Sequence, residues 1–321
     1  MSERFYAGID MGGTNTAIGI VDEEGNVVAR CSISTCRYGN LKDYADALYE
    51  ATEKLSEEIG GMEKISAVGI GAPNANRDGE IACCQNLPWE MPAPLAAVVR
   101  QRFGIPVAVD NDANASAAGE MIYGAARGMK NFITITLGTG VGSGIVCDGN
   151  IIRGHRGMGG ELGHITVRRD NARSCTCGKD GCLEAYCSAS AVARTAREWL
   201  AENPERESLL RSLPSESITS LDVYEAAMKG DSLSKEIFDF TGEILGEALA
   251  DFMNISDPEA FVHFGGLARS GELLMEPVRD SFRRHLMPLW RRYETKILVS
   301  TLPGADAAIL GAAALATRKN G

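Results

Sequence analysis

Ile9-Asp10-Met11-Gly12-Gly13-Thr14 opens a pattern that the chain uses twice. It leads into the apolar run Ala17-Ile18-Gly19-Ile20-Val21, the polar turn Glu23-Glu24-Gly25-Asn26, and then Val27-Val28. Far downstream, Ile135-Thr136-Leu137-Gly138-Thr139-Gly140 leads into Gly144-Ile145-Val146, the turn Asp148-Gly149-Asn150, and Ile151-Ile152. Each copy reads as strand, glycine-rich turn, strand, tight turn, strand. A hairpin unit duplicated in this way predicts two domains of related fold.

Between the copies the period changes from strand to helix. Leu41 to Ile59 carries apolar residues at helical spacing and stops before Gly60-Gly61. Ile65 to Ile70 and Val107-Ala108-Val109 read as short buried strands, and residues 112–122 favour helix. After the second copy, Ser188 to Glu202 and Ser232 to Asn254 read as long amphipathic helices. Phe261-Val262-His263-Phe264 is a strand running into Gly265-Gly266, with a helix from about Glu272. Ile297-Leu298-Val299 is a last core strand, and a terminal helix starts at Asp306. Strands alternating with helices predict an α/β architecture. The hinge is expected near residues 124–130, which divides the chain into domains 1–125 and 126–321. The polar stretch 202–220 reads as a surface excursion.

With 321 residues, the chain exceeds what one core normally holds. Hydrophobic residues make up 45% and charged residues 23%, an ordinary balance for a soluble enzyme. A net charge of −11 argues against a nucleic-acid partner, which calls for a basic face. The start, Met1-Ser2-Glu3-Arg4-Phe5, lacks the basic and apolar regions of a signal peptide, and the apolar stretch 307–316 is too short to span a bilayer. The expectation is a cytoplasmic protein with no membrane partner. Nine cysteines, an odd count, argue against a disulfide framework.

In Asp10-Met11-Gly12-Gly13-Thr14, the glycines let backbone N–H groups approach a phosphate. The Thr14 hydroxyl can donate to a phosphate oxygen, and Asp10 can hold Mg²⁺ or its waters. Gly138-Thr139-Gly140 offers the same chemistry. Each loop alone is equally well read as a plain hairpin turn, but two copies in matching contexts weaken that reading. Neither loop is followed by Gly-Lys-Ser/Thr, and a strand follows where a dinucleotide fold would start a helix.

Val109-Asp110-Asn111-Asp112-Ala113-Asn114 runs from strand into helix. Asp112 at the helix start is expected to be kept ionised by the helix dipole. It can then accept a proton from a substrate hydroxyl as that oxygen attacks phosphorus. The plainer alternative is an N-cap, though one cap does not need three polar residues. Glu161 and His164, on the glycine-rich run 157–164, are candidates for binding sugar hydroxyls. His164, Cys175, Cys177 and Cys182 lie within 19 residues and make a tetrahedral Cys₃His set for a structural Zn²⁺. A metal on one ring nitrogen of His164 would leave the other for a hydroxyl, with Glu184 held beside it.

Together these pieces resemble the ROK family of sugar kinases and sugar-responsive repressors, within the actin-like/hexokinase superfamily. The resemblance covers essentially the whole chain. It is carried by Asp110–Asn114 and by Gly160-Glu161-Leu162-Gly163-His164, Cys175-Thr176-Cys177-Gly178 and Gly181-Cys182-Leu183-Glu184. It implies two related actin-like (ribonuclease H-like) α/β domains with a cleft between them. It implies Asp112 as catalytic base, and Asn86, Asn111, Glu161, His164 and Glu184 as sugar ligands. Gly12, Gly13, Thr14, Gly138, Thr139 and Gly140 would hold the ATP phosphates, and Gly265-Gly266 would lie against the adenosine. The implied reaction is ATP-dependent phosphorylation of a hexose 6-hydroxyl, glucose first, with an N-acylhexosamine, allose or fructose as alternatives. The expected assembly is a homodimer. A repressor of the family would carry a helix-turn-helix module, and the few residues before the first strand leave no room for one. Gly71-Ala72-Pro73-Asn74 departs from a family loop that often ends Pro-Gly. Asn tolerates left-handed backbone angles, so the turn is expected to survive.

Overall fold

The computed structural model describes residues 4–83 and 87–317. The elements run in chain order as β1 (Phe5–Met11), β2 (Asn15–Asp22), β3 (Val27–Ser34), α1 (Leu41–Ser56), β4 (Ile65–Ala72), α2 (Leu95–Phe103), β5 (Val107–Asn111) and α3 (Asp112–Ile122). There follow β6 (Phe132–Leu137), β7 (Val141–Cys147), β8 (Asn150–Ile151), α4 (Glu184–Cys187), α5 (Ala189–Glu202), α6 (Ser220–Met228) and α7 (Ser232–Ser256). The chain closes with β9 (Ala260–Phe264), α8 (Glu272–His285), β10 (Lys296–Val299) and α9 (Ala307–Thr317). None of the described helices is long and apolar enough to cross a membrane.

The duplication in the sequence is a duplication in topology. One five-stranded sheet has the order β3-β2-β1-β4-β5, and the other, read from β8, has the order β8-β7-β6-β9-β10. In the first sheet β1 pairs antiparallel with β2 and parallel with β4, and β4 pairs parallel with β5. In the second, β9 lies parallel to both β6 and β10. Burial follows position in the sheet. β1 and β4 are buried almost throughout, whereas the edge strand β3 alternates half-buried and exposed side chains.

The chain divides into two compact units, Met1–Lys130 with Gly144–Gly160 and Thr301–Gly321, and Asn131–Ser143 with Glu161–Ser300. In the first, α9 lies directly on the strand backbones. A Cβ on Gly8 would stand 2.2 Å from the Ile309 carbonyl oxygen, and one on Gly69 would stand 1.9 Å from that of Ala312. Ala312, Ala313 and Ala314 are wholly buried at this contact. The second unit is built around α7, whose buried face includes Ile237, Phe238, Leu245, Leu249 and Phe252. Gly242 and Gly246 of α7 admit Pro277 and Val278 of α8.

Most elements stand where the periodicity puts them. The helix expected over 112–122 is Asp112–Ile122, and the helix expected from Ser188 has Ser188 as its cap, accepting from the Ala191 N–H. Asn74 takes the left-handed conformation anticipated for it, with φ of 52°. Its amide also donates to the Cys83 carbonyl at 2.9 Å, so the side chain is committed to its own loop. Helices α2, α4 and α6 have no counterpart in the sequence reading.

The contact of α9 on the first sheet yields a prediction. Gly69→Ala should lower the stability of the chain by about 1–3 kcal/mol, because backbone must move to admit one methyl group. Urea unfolding measures this, and an unchanged midpoint would show that the helix can back away freely.

Candidate active site

The first glycine-rich turn is held from beneath by a chain of buried hydroxyls. Tyr44 Oη and Thr16 Oγ1 are 2.7 Å apart, and Thr16 Oγ1 and Thr35 Oγ1 are 2.8 Å apart. Thr35 Oγ1 in turn donates to the Gly12 carbonyl at 2.8 Å, and the Thr35 N–H donates to the Thr14 carbonyl. Burial raises the Tyr44 pKa well above its ordinary value, so the phenol stays a neutral link. The turn therefore has a fixed shape while Thr14 itself is exposed. The sequence reading missed Thr16, Thr35 and Tyr44, which sit as isolated polar residues in unrelated elements.

Asp10 ends the apolar part of β1, half-buried beside this turn. Burial first, and the charge of Asp112 second, push its pKa up to about 6. Asp112 is the first residue of α3. Its surface is open to water, yet surrounding protein atoms strip hydration from the carboxylate and raise its pKa, against the pull of the Ala113 N–H. Desolvation thus acts against the helix dipole expected to keep it ionised.

The three polar residues at the β5–α3 junction have separate tasks. Asn111 is the N-cap, its Oδ1 accepting from the Ala113 N–H at 2.8 Å. Asp110 is buried and fully engaged. Its Oδ1 accepts from the Asn111 N–H and from Asn114 Nδ2, and its Oδ2 accepts from Arg153 Nε at 2.6 Å. Only Asp112 of the three presents an open carboxylate.

In the second unit, Gly138 and Gly140 close a tight turn, with the Gly138 N–H donating to the Gly140 carbonyl at 3.0 Å. The Ala189 N–H, at the start of α5, donates to the Gly138 carbonyl. Glu184 reaches this turn. Its Oε2 accepts from the Val141 N–H at 3.0 Å, and its Oε1 accepts from the Thr176 hydroxyl at 3.1 Å. A Cβ on Gly140 would stand 2.4 Å from Glu184 Oε2, so a larger residue there would displace this carboxylate. Thr139, Gly140, Cys175, Thr176, Glu184 and Ser188 help line a cavity of about 400 Å³. Thr176 is a further contributor that the sequence reading did not single out. Gly265, at φ of 107°, turns the chain between β9 and the short helical turn before α8, beneath the Leu137 carbonyl.

Glu161 and His164 flank a single helical turn over Leu162–His164, which Ser143 supports by accepting the Leu162 N–H at 3.0 Å. His164, Cys175, Cys177 and Cys182 present one ligand atom each, all within 4.8 Å of one another. His164 Nδ1 and Cys175 Sγ are 3.6 Å apart, as are Cys177 Sγ and Cys182 Sγ. A tetrahedral Zn²⁺ with sulfur at about 2.3 Å implies ligand separations of roughly 3.8 Å, so the set fits that ion. The crowding supports this. Burial, with the neighbouring sulfurs, pushes the Cys182 thiol up to about 12, a cost that a cation would relieve, while the Lys179 N–H draws the Cys177 thiol down. Asn86 lies outside the described residues.

The ROK family model matches residues 6–319. The glucokinase of Halalkalibacterium halodurans is 36% identical over 317 residues, covering 97% of this chain and 94% of the relative. The glucokinase of Streptomyces coelicolor is 36% identical over 314 residues, covering 96% of each. A ROK family glucokinase from Streptomyces griseus, solved in complex with glucose and AMPPNP, superposes with a TM-score of 0.79 at 37% identity. That alignment covers 97% of this chain and 99% of the neighbour. The fold, the duplicated glycine-rich turns and the match across the whole length agree: the chain belongs to the ROK family.

Proposed function

We propose that this chain transfers the γ-phosphate of ATP to the 6-hydroxyl of glucose. The observation that carries the reading is the 36% identity to a glucokinase over 97% of the chain. The open carboxylate of Asp112 at the head of α3 supports it. In this reading Asp112 accepts the proton of the attacking hydroxyl. Its raised pKa makes it a better proton acceptor than an ordinary aspartate. Asp110 and Asn111 orient the turn that carries it, and Asn111, Glu161 and His164 bind sugar hydroxyls. Asn86 joins them as a proposed ligand.

Gly12, Gly13 and Thr14 offer backbone N–H groups and a hydroxyl to phosphate oxygens, on a turn stiffened by Thr35. Gly138, Thr139 and Gly140 do the same, and Gly265-Gly266 receives the adenosine. Asp10 is the residue to hold Mg²⁺, which would neutralise charge on the phosphates. A nearby cation would also relieve the repulsion between Asp10 and Asp112. His164, Cys175, Cys177 and Cys182 would hold Zn²⁺, which would supply rigidity to a loop with little core of its own. Glu184 is already bound to Val141 and Thr176, so its carboxylate serves the sugar while tethering the second turn. We further propose a cytoplasmic homodimer.

A coupled assay of hexoses with ATP tests the reaction. The expected result is that kcat/KM for glucose exceeds that for N-acetylglucosamine, N-acetylmannosamine, allose and fructose. Asp112→Asn should keep the fold while kcat drops about 10²–10⁴-fold. A tenfold preference for another sugar would overturn the substrate, and near-normal turnover in the variant would overturn the base.

Asp10→Asn should stabilise the magnesium-free protein while removing activity. A carboxylate whose pKa is raised on folding, from 3.8 to about 6, opposes the folded state once it must ionise. That penalty is absent below about pH 4 and complete only well above pH 6, where it is worth on the order of 3 kcal/mol. Thermal unfolding of the variant should show a gain that grows from pH 5 to pH 7.5. A gain independent of pH would contradict a raised carboxylate pKa as the cause.

Elemental analysis should find about one zinc per chain, by the four-ligand count. Cys177→Ser should lower thermal stability and weaken glucose binding together, since His164 and Glu184 flank the cluster. Glucose affinity equal to that of the unaltered protein would separate the metal from the sugar site.

A further inference from the structure

A second cavity, of about 640 Å³, lies within the first unit, lined among others by Arg77, Arg100, Val109, Asn150, Arg153 and Leu315. Three of its lining residues are arginines, against one acidic residue, Asp78, in a chain of net charge −11. The Arg77 side chain makes no ion pair among the described residues, and Arg100 donates only to the Val107 carbonyl, at 3.2 Å. Arg153 has two faces. Its side chain is 40% exposed, yet its Nε holds the buried Asp110 carboxylate at 2.6 Å. Asp110 in turn fixes the Asn111 N–H and the Asn114 amide, one residue before and two residues after Asp112.

We propose that this cavity is an effector site for a small phosphate-bearing anion, and that Arg153 is the positioning residue through which occupancy reaches Asp112. Guanidinium groups match phosphate oxygens in pairs, and a cavity with three of them suits a multiply charged phosphate better than a neutral ligand. A ligand that draws Arg153 toward the cavity weakens its hold on Asp110. A buried carboxylate left short of a partner is costly, so the β5–α3 turn readjusts. Asp112 then loses its alignment, and the anion acts as an inhibitor of turnover. The phosphate group has two candidate sources, free inorganic phosphate and a sugar phosphate such as the product of the proposed reaction. The inhibitory effect rests on the kinase reading; the binding site does not.

Calorimetry on nucleotide-free protein with inorganic phosphate, and separately with glucose 6-phosphate, tests the site. At least one should bind, and Arg77→Ser combined with Arg100→Ser should weaken it tenfold or more with kcat unchanged. Tighter binding of the sugar ester names it as the source, and equal affinity names phosphate alone. No binding of either at about 10 mM, or affinity untouched in the double variant, overturns the site. Saturating anion should lower kcat several-fold at unchanged glucose KM, and the double variant should escape this. Arg153→Met should lower kcat about tenfold with KM preserved, and Arg153→Lys should recover part of it. Anion binding without any change in kcat would overturn the positioning role. Absence of glucose phosphorylation in the unaltered protein would defeat the kinase reading, while the calorimetry would still decide whether the cavity binds the anion.

Discussion

A carboxylate removed from water must find partners for both its oxygens, and much of the first unit is arranged around that requirement at Asp110. The group is 4% exposed, and it takes one backbone N–H, one side-chain amide and one guanidinium. Those bonds fix where β5 ends and α3 begins. They leave Asn111 free to cap the helix and Asp112 free to face solvent. An arrangement with fewer partners would leave Asp110 as an uncompensated buried charge, which the marginal stability of a folded chain tolerates poorly.

The same economy of partners separates what the sequence disclosed from what it hid. The two sheets were legible because their signals are local: apolar alternation, glycine turns and tight hairpins repeated in one order. The Cys₃His cluster was legible for the same reason, since its four side chains lie within residues 164–182. The pairing that stiffens the first glycine-rich turn was not, because Thr16 meets Thr35 and Tyr44 across 19 and 28 residues. Arg153 meets Asp110 across 43 residues, and nothing in the run Ile152-Arg153-Gly154 marks it as a partner. The desolvation at Asp112 was not legible because a helix dipole can be read from sequence, whereas loss of hydration depends on tertiary packing.

The candidate site also shows where the molecule carries unfavourable terms. Burial and then the charge of Asp112 raise the cost of ionising Asp10, and burial alone raises that of Asp112. Nothing in the fold requires such a pair, and a core built for stability alone would neutralise one of them. Their retention accords with a site that is completed by a cation and substrate, with the binding free energy of the ligands offsetting the strain.

The placement of α9 sets an order in time. Strands β1 and β4 are synthesised first, but the glycines at 8 and 69 present a face that only the helix at 307–317 covers. At roughly 5–20 residues per second, translation leaves that face without its helix for on the order of ten seconds or more. The first unit thus begins to emerge before the second and is completed after it. Between those moments its sheet offers bare backbone and apolar surface to whatever else is nearby.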